Sequence, residues 1–311
     1  MNYVIEAEDL TKHYGAFFWR RKEAALDRLT MAIPESVVFG FLGPNGAGKT
    51  TTIRLLMDLI RPTGGRALIL GRSPSELEVK RHIGFLPDSP AFNPYLSAYE
   101  FLVICAKLLR IPGDQRRQRI DEVLEMVRMT KHARSKLGGF SRGMLQRIGI
   151  AQAILNRPRL LILDEPLVGL DPHGRQELKD IILAQKQAGT NVFFSSHILS
   201  DVEKICSHIG ILNQGKLLCY GGLNDLLSVT GLRVNVSHGH QEIAAMLMPE
   251  ATGSIRLPDG GWELVFPGQD VLKDRLVGMQ QDHPGALSIA PSRESLEDFF
   301  FRKIEDQRVI S

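Results

Sequence analysis

Cysteine is scarce in this 311-residue chain, and neither sign of charge dominates it. The three cysteines lie far apart and form no Cys-x-x-Cys pair, at Cys105, Cys206 and Cys219. This spacing argues against a disulfide framework, so we expect reduced thiols and a cytosolic protein. Lysine and arginine total 38 against 35 acidic residues, and the net charge of +3 is spread along the chain. Such a balance gives no reason to expect a nucleic-acid partner.

Long apolar runs are also missing. The best stretch, residues 101–109, is interrupted by Lys107 and falls short of the roughly 18 to 20 residues that cross a bilayer. The first residues, from Met1 to Glu6, carry neither a basic leader nor an apolar core. We therefore predict no membrane span in this sequence. Its length allows one large domain and a small one.

Short apolar runs bounded by polar turns predict strands that are buried on both faces of a parallel sheet. Residues 33–42 are β-branched and aromatic, and a glycine-rich turn and a helix-like run over residues 50–59 follow them. Two further runs occur at residues 160–163 and 191–194. The amphipathic stretch 174–188 lies between these two runs, so together they predict a βαβ unit.

Two regions depart from this alternation of strand and helix. Residues 97–156 lack strand-like runs and show helical periodicity, which predicts an all-helical insertion in an α/β domain. After Gly222, strand-like segments at 232–236, 254–257, 262–266 and 286–290 mix with helical stretches at 241–247 and 270–280. The resulting order, βαββαβ, suits a small ferredoxin-like sandwich.

The glycine-rich turn carries a phosphate-binding pattern. It satisfies G-x-x-x-x-G-K-[ST] with Gly43, Pro44, Asn45, Gly46, Ala47, Gly48, Lys49 and Thr50. Glycines allow backbone amides to converge on phosphate oxygens, and the following helix offers its positive end. We expect Lys49 to reach the β and γ phosphates of a nucleotide. Thr50 would present its hydroxyl to Mg²⁺, and Thr51 would meet the α phosphate.

Two acids follow the apolar run 160–163, at the edge where open α/β sheets bind ligands. We predict that Asp164 holds the Mg²⁺ shell and that Glu165 acts as general base toward a water in line with the γ phosphate. His197 follows the next strand and would bring an imidazole to the same edge, in contact with the γ phosphate. Taken alone, these features could be an acidic turn and a packed histidine. The phosphate loop favours the catalytic interpretation.

The order of these segments resembles the ATP-binding cassette family over residues 1 to about 222. The series also contains Phe140-Ser-Arg-Gly-Met-Leu-Gln-Arg147 before the two acids and Gly169-Leu-Asp-Pro172 after them. In that family a Ser-x-Gly signature closes over the nucleotide held by the opposite subunit. The resemblance therefore implies this role for Ser141 and Gly143. A Ser-Arg-Gly segment read alone is only a helix cap.

Further site residues are implied by the same resemblance. Asp171 matches the loop that links the two active sites of the family's dimer. Tyr14 matches the aromatic residue that stacks on adenine. Asp88 stands where the family has a glutamine that touches Mg²⁺. Its shorter reach leaves direct contact with Mg²⁺ open, while a role in relaying nucleotide state to a membrane subunit remains compatible with it.

Two more departures from the family pattern concern the signature and an insertion. The usual Leu-Ser-Gly-Gly-Gln is here Phe140-Ser-Arg-Gly-Met144, which resembles the drug, polysaccharide or lipid exporter branch. Residues 16–23 are longer than usual for the family. They could form an extended hairpin at the dimer edge or headgroup surface, or a solvated β-turn with one packed aromatic residue.

The fold implied by the resemblance is α/β: a P-loop ABC-type cassette with a parallel core sheet, an antiparallel β subdomain and a helical subdomain. The cassette would cover residues 1–222, with its helical subdomain over about 89–157. A small C-terminal α+β domain would follow over residues 223–311. That part resembles the accessory domain of the exporter branch, through a closing helix at Ser295-Leu-Glu-Asp-Phe-Phe300. We expect it to regulate or brace a dimer.

The function implied by the resemblance is ATP hydrolysis, with ATP and Mg²⁺ as cofactors and Glu165, His197 and Lys49 as catalytic residues. ATP-driven dimer closure would power export through a separate membrane subunit at the cytoplasmic face of the cell membrane. Because every catalytic element is present we expect a homodimer, with a heterodimer as the alternative. One alternative is a cassette ATPase that does not transport, but such relatives usually carry two cassettes in one chain, a long coiled coil or a zinc module, and this sequence shows none of these. A second alternative is a nucleotide-binding regulatory module without turnover, which conflicts with the intact Glu165 and His197.

Overall fold

The computed structural model describes residues 2–15, 24–267, 276 and 278–310. The chain divides into two compact units, Met1–Leu223 with Ile304–Ser311, and Asn224–Lys303. The strands are β1 Tyr3–Lys12, β2 Leu26–Pro34, β3 Val38–Leu42, β4 Gly64–Ile69, β5 Ile83–Leu86, β6 Leu160–Leu163, β7 Asn191–Ser196, β8 His208–Asn213, β9 Lys216–Gly222, β10 Val229–Val236, β11 Gly253–Arg256, β12 Trp262–Pro267 and β13 Leu287–Arg293. The helices are α1 Lys49–Leu56, α2 Leu77–Lys80, α3 Ala98–Leu108, α4 Gly113–Met126, α5 Arg142–Ile154, α6 Pro172–Gln187, α7 Leu199–Ile205, α8 Leu223–Leu226, α9 Gln241–Leu247 and α10 Leu296–Ile310.

A six-stranded sheet lies at the centre of the first unit, in the order β5-β6-β7-β3-β8-β9. Strands β5, β6, β7, β3 and β8 run parallel, and β9 pairs antiparallel with β8. Every residue of β3, β6 and β7 is buried, as expected for parallel strands covered on both faces. The carboxyl ends of these strands meet at one edge, and the polar residues that follow them therefore lie together. The predicted α/β fold is confirmed.

The single strand predicted over residues 33–42 is wrong. The structure has two strands there, because β2 ends at Pro34 and β3 begins at Val38. Proline cannot donate a ladder hydrogen bond, and Ser36 takes a left-handed backbone with φ of 65°, which turns the chain. Strand β2 belongs to a different sheet, the antiparallel set β2-β1-β4, which forms the antiparallel part of the fold.

The predicted helical insertion consists of α3, α4 and α5 joined by turns. Helix α3 begins at a capping box in which the Ser97 hydroxyl accepts from the backbone N–H of Glu100 at 3.2 Å and the Glu100 side chain accepts in return. Arg119 of α4 donates to the carbonyl oxygens of Ile154 and Leu155 at 2.6 and 2.9 Å, and so caps the end of α5. Within the described residues, no helix has the length and apolar character needed to cross a bilayer.

The second unit contains a four-stranded antiparallel sheet in the order β11-β12-β10-β13. In the sequence, helix α9 lies between β10 and β11. Its apolar residues join Leu232, Val234 and Phe266 in a separate hydrophobic core. The helix predicted at residues 270–280 lies largely outside the described residues, as does the whole segment 16–23. Residues 304–311 group with the first unit rather than with this one.

Candidate functional site

The phosphate-loop pattern forms a tight turn between β3 and α1. Gly48 has φ of 111°, and a Cβ on it would approach the carbonyl oxygen of Ala25 to 2.5 Å. Gly46 also has a positive φ, of 81°. Only glycine adopts these backbone angles without strain, and at Gly48 only glycine fits the space. The turn therefore brings its backbone against the amino end of α1, where anions bind readily.

Lys49, the first residue of α1, is almost fully buried, with 6% of its surface exposed. Its ammonium donates to the carbonyl oxygens of Gly43 and Pro44 at 2.7 and 3.2 Å and lies 3.1 Å from a carboxylate oxygen of Glu165. These three acceptors match the three donors of the ammonium. The side chain thus places a positive charge between the phosphate loop and the acid at the end of β6.

Asp164 is fixed by hydroxyls on both sides. The register pairs Leu163 of β6 with Phe194 of β7, so that Asp164 and Ser195 emerge next to each other. The Ser195 hydroxyl donates to Oδ1 of Asp164 at 2.7 Å and accepts from the backbone N–H of Glu165 at 2.9 Å. The Thr50 hydroxyl donates to the same Oδ1 at 3.3 Å. Sequence reasoning missed the bridging position of Ser195, which depends on strand register.

The charge on Asp164 has little compensation. Burial raises the pKa of Asp164, and the neighbouring charges of Asp88 and Glu165 raise it further, while the hydroxyls of Ser195 and Thr50 lower it. A cation placed beside this carboxylate would relieve that cost. Asp88, which follows β5, is exposed and lies close enough to act on Asp164 electrostatically.

The oxygens at this position suit Mg²⁺. The Thr50 hydroxyl and the Asp164 carboxylate are hard donors, 3.3 Å apart. Within the described residues no cluster of three or more His, Cys, Asp or Glu residues could hold a metal ion by protein ligands alone. Mg²⁺ usually takes one or two carboxylates and completes its shell with waters and substrate phosphates. The residues present therefore fit Mg²⁺ bound together with a nucleotide.

Glu165 has a strained backbone conformation, and its carboxylate lies between the Lys49 ammonium and the His197 imidazole. Its φ is 49°, in the left-handed region that residues other than glycine rarely adopt. One carboxylate oxygen pairs with Lys49, and the other lies 3.0 Å from Nδ1 of His197. The backbone turn and the two contacts fix the direction of the carboxylate. We name Lys49, Thr50, Asp164, Glu165, Ser195 and His197 the sheet-edge site.

The signature residues lie on a different surface, at the starts of two helices. The Ser141 hydroxyl caps α5 by accepting from the N–H of Met144 at 3.3 Å, and Asp171 caps α6 by accepting from the N–H of Gly174 at 2.9 Å. Both caps are exposed, and together with Gly143 they line an open pocket with a volume of about 400 Å³. We name Ser141, Gly143 and Asp171 the helix-start face.

Two links between these regions were not foreseen from the sequence. The buried Gln146 of α5 donates to the carbonyl oxygen of Pro166, the residue after Glu165, at 3.0 Å. Gly169 has φ of 75°, and a Cβ on it would lie 2.6 Å from the guanidinium of Arg142. The glycine therefore makes room for the signature arginine. In the sequence, Gln146 and Arg142 look like ordinary polar residues of a helix, so these two contacts could not be predicted from it.

Tyr14 stands apart from the other predicted site residues. It follows β1 and is 41% exposed, with the Lys12 ammonium 5.4 Å from its ring centroid. Within the described residues, no hydrogen bond or ring contact joins it to the sheet-edge site. Its exposed face is available for stacking, and its assignment to adenine stays a prediction. Thr51 lies in the first turn of α1 beside Thr50.

Comparisons with known proteins agree with this geometry. Residues 26–168 match the family described as ABC transporter. The chain is 43% identical over 311 residues to the bacitracin transport ATP-binding protein BcrA of Bacillus licheniformis, covering 98% of both chains. It is 41% identical over 308 residues to an uncharacterized ABC transporter ATP-binding protein of Nostoc, covering 98% of this chain and 90% of the relative.

A solved structure shares the fold over most of the chain. The structure of an ATP-binding subunit of an ABC transporter superposes with a TM-score of 0.64 at 29% identity, covering 72% of this chain and 91% of that one. The resemblance noted in the sequence is confirmed. The chain belongs to the ABC transporter ATP-binding proteins, the subunits that bind and hydrolyse ATP for a separate membrane subunit.

Proposed function

We propose that two copies of this chain hold ATP between the sheet-edge site of one copy and the helix-start face of the other, and so power export. The observation that carries the proposal is the set of contacts at Glu165, whose carboxylate lies 3.1 Å from Lys49 and 3.0 Å from His197. This arrangement orients a base beside a phosphate loop. The Ser141 hydroxyl and the backbone N–H groups at the start of α5 supply donors for a nucleotide that comes from outside the chain.

Within one copy, each side chain has a separate task. Lys49 and the loop amides bind the phosphates, and Lys49 exchanges its contact with Glu165 for phosphate oxygens. Thr50 and Asp164, with Asp88 nearby, hold Mg²⁺, which when bound neutralises charge on the phosphates. Glu165 accepts the proton of the attacking water. His197 holds the second carboxylate oxygen of Glu165 and faces the γ phosphate.

Closure of the pair follows from where the ATP makes its contacts. Ser141 and Gly143 meet the nucleotide held by the second copy, Asp171 lies in the loop that links the two active sites, and Tyr14 stacks on the adenine held by its own copy. ATP touches both halves only in the closed state, so binding shifts the population toward closure. Loss of the γ phosphate removes the bridge. Because one chain contains every part, a homodimer is the simplest assembly, with a paralogous heterodimer as the alternative.

The transport assignment extends this ATPase to a membrane. We place the chain at the cytoplasmic face of the cell membrane, held there by its membrane subunit. The helices α3 to α5 and the Asp88 region pass the closing movement to that subunit. BcrA, the Bacillus licheniformis relative, is named for bacitracin transport. This relative and the exporter-like signature support export of a compound of the antibiotic or lipid class.

We further propose that the second unit is a ferredoxin-like accessory domain that braces or regulates the dimer. The antiparallel sheet order β11-β12-β10-β13 supports this proposal. A truncation that removes residues 224–311 should lose dimer formation, whereas unchanged dimerisation and ATPase activity would contradict it. Asn213→Ala is the control, because Asn213 donates to Gln307 at 2.8 Å and the truncation also removes that bond.

The main experiment uses Glu165→Gln in the full-length chain. ATP hydrolysis should fall by about 10²- to 10⁴-fold, the scale of general-base catalysis, while ATP binding is kept. Its mass in solution, measured with and without ATP and Mg²⁺, should double on nucleotide addition. Normal turnover would contradict the role of Glu165. A monomer that binds ATP would contradict the pairing through the helix-start face.

A further inference from the structure

A buried charge cluster joins α6 to α7 outside the sheet-edge site. Asp201, in the first turn of α7, has 5% of its surface exposed, and Lys179 of α6 is buried to the same degree. The Lys179 ammonium donates to Oδ1 of Asp201 at 2.9 Å. Among the described residues Oδ2 of Asp201 is buried without a hydrogen-bond partner, and the guanidinium of Arg175 lies 3.7 Å from it.

The cluster connects two segments that the reaction uses. His197 lies between the end of β7 at Ser196 and the start of α7 at Leu199, so its backbone is held from both sides by these two elements. Helix α6 begins at its cap, Asp171. Arg175 donates from Nε to the carbonyl oxygen of Leu170, the residue before Asp171, at 3.1 Å. The guanidinium thus contacts the backbone next to Asp171 through Nε and faces Asp201 through Nη1.

The opposite side of α7 rests on the central sheet. A Cβ on Gly40 of β3 would come within 2.6 Å of Val202 and 2.8 Å of Cys206, so α7 packs directly on the strand backbone. This apolar packing sets the height of α7 above the sheet. Because apolar contacts are non-directional, they do not fix the position of α7 along the sheet. The ion pair between Lys179 and Asp201 adds a directional contact from α7 to the neighbouring helix α6.

A buried ion pair is a poor source of stability. Removing two charges from water costs about as much as their attraction returns, and apolar replacement of both partners is often neutral or stabilising. Stability alone therefore does not account for a pair this deep, with one carboxylate oxygen left without a hydrogen bond. A geometric task accounts for it better.

We propose that Asp201 is a positioning residue for hydrolysis: through Lys179 and Arg175 it holds α7 against α6 and keeps His197 on the carboxylate of Glu165. The inference rests on the proposed roles of Glu165 and His197. It assigns no contact between Asp201 and the nucleotide. Its effect on the reaction passes through the imidazole.

The test replaces both charges at once, with Lys179→Met/Asp201→Leu in the full-length chain. Because both buried charges are removed together and the guanidinium of Arg175 is 35% exposed to water, the melting temperature should stay near that of the wild type. We expect kcat for ATP hydrolysis to fall by about 10- to 100-fold, the cost of misplacing a catalytic group, with KM little changed. A folded variant with wild-type kcat would overturn the proposal. So would a folded variant whose loss of activity appears only as a rise in KM.

The pathway through His197 is tested by the same replacement in a His197→Ala background, with enough enzyme to measure the residual rate. If Asp201 acts through the imidazole, the replacement lowers the rate no further. An equal fall in both backgrounds overturns the proposal. Glu165→Gln in the same assay separates the two ideas: turnover in that variant refutes the proposed function, whereas its loss beside a normal Asp201 variant refutes only this inference.

Two single variants complete the design. Arg175→Met removes the ion pair between Arg175 and Asp201. Because the Arg175 side chain is 35% exposed, this variant should fold, and it tests the proposal if the double variant does not. It should lower kcat several-fold, and an unchanged kcat overturns the proposal. Gln185→Met is the matched control, because Gln185 is a buried polar residue farther along the same helix. It should leave kcat and KM unchanged.

Discussion

The sheet-edge site and the helix-start face differ in how their polar groups are satisfied. Lys49 and Asp164 are 6% and 3% exposed and are bonded to other side chains of the same site. Ser141 and Asp171 are exposed, and each accepts a hydrogen bond from the backbone of its own helix. A buried set of mutual contacts holds its geometry in advance. We propose that the exposed caps receive a ligand supplied by another copy.

Among the substitutions that test this comparison, Lys49→Met should have the largest effect. Without the ammonium, the phosphates lose their main cation and Glu165 loses its ion pair at 3.1 Å. We expect hydrolysis to fall by about 10²- to 10³-fold, the cost of removing one preorganised donor, and ATP affinity to fall with it. Phosphate release and fluorescent-nucleotide binding measure the two effects. Lys186→Met, at an exposed lysine of α6, is the control. Wild-type turnover in Lys49→Met would remove the sheet-edge site from the mechanism.

A pair of serine substitutions sharpens the comparison. Ser195→Ala frees Asp164 and the Glu165 amide, so hydrolysis should slow by roughly 10- to 100-fold through misplacement of both groups. Ser141→Ala removes only a helix cap, so nucleotide binding to the single chain should persist while ATP-driven pairing weakens. Binding and solution mass, each measured in a Glu165→Gln background, distinguish the two. Equal defects in both variants would show that the two surfaces are not separate in function.

Gln146→Met tests the contact that joins α5 to the sheet-edge site. The substitution leaves the buried carbonyl oxygen of Pro166 without its donor at 3.0 Å. We expect a loss of about 1 to 3 kcal/mol in the free energy of unfolding, the usual cost of a buried unsatisfied polar group. Denaturant unfolding measures it. Unchanged stability would mean that water replaces the glutamine and that the two regions are joined less firmly than the contact indicates.

The smallest effect we expect is a gain in stability from Asp164→Asn. The folded-state pKa of Asp164 is raised by burial above the unfolded value of about 3.9. Its charge therefore opposes folding at neutral pH, and this cost disappears as the pH falls below about 4. Without nucleotide or divalent cation, the variant should melt higher than the wild type at neutral pH and similarly in acid. A lower melting temperature at neutral pH would contradict the burial cost.

Sequence patterns predicted the phosphate loop, the acids after β6 and His197, because each depends on local spacing after an apolar strand. The bridging role of Ser195 depends on the pairing of Leu163 with Phe194, which spacing does not set. The charge pair of Lys179 with Asp201 is equally long-range, since either residue could have been a solvated helix position. The break at Pro34 and Ser36 was missed because the apolar pattern continues across it. The catalytic and metal-binding roles of the sheet-edge site stay predictions, as do the roles of Tyr14, Asp88 and the helix-start face.

The left-handed backbone at Glu165 sets folding against activity at a single position. A glycine or asparagine there would relieve a conformational cost of about 1 kcal/mol or more, and would remove the proposed base. Either change would also leave the buried Lys49 ammonium without the carboxylate 3.1 Å away, which opposes the relief of strain. Once selection for hydrolysis is relaxed, as in the second subunit of an asymmetric pair, loss of Glu165 should therefore be accompanied by loss of the charge on Lys49.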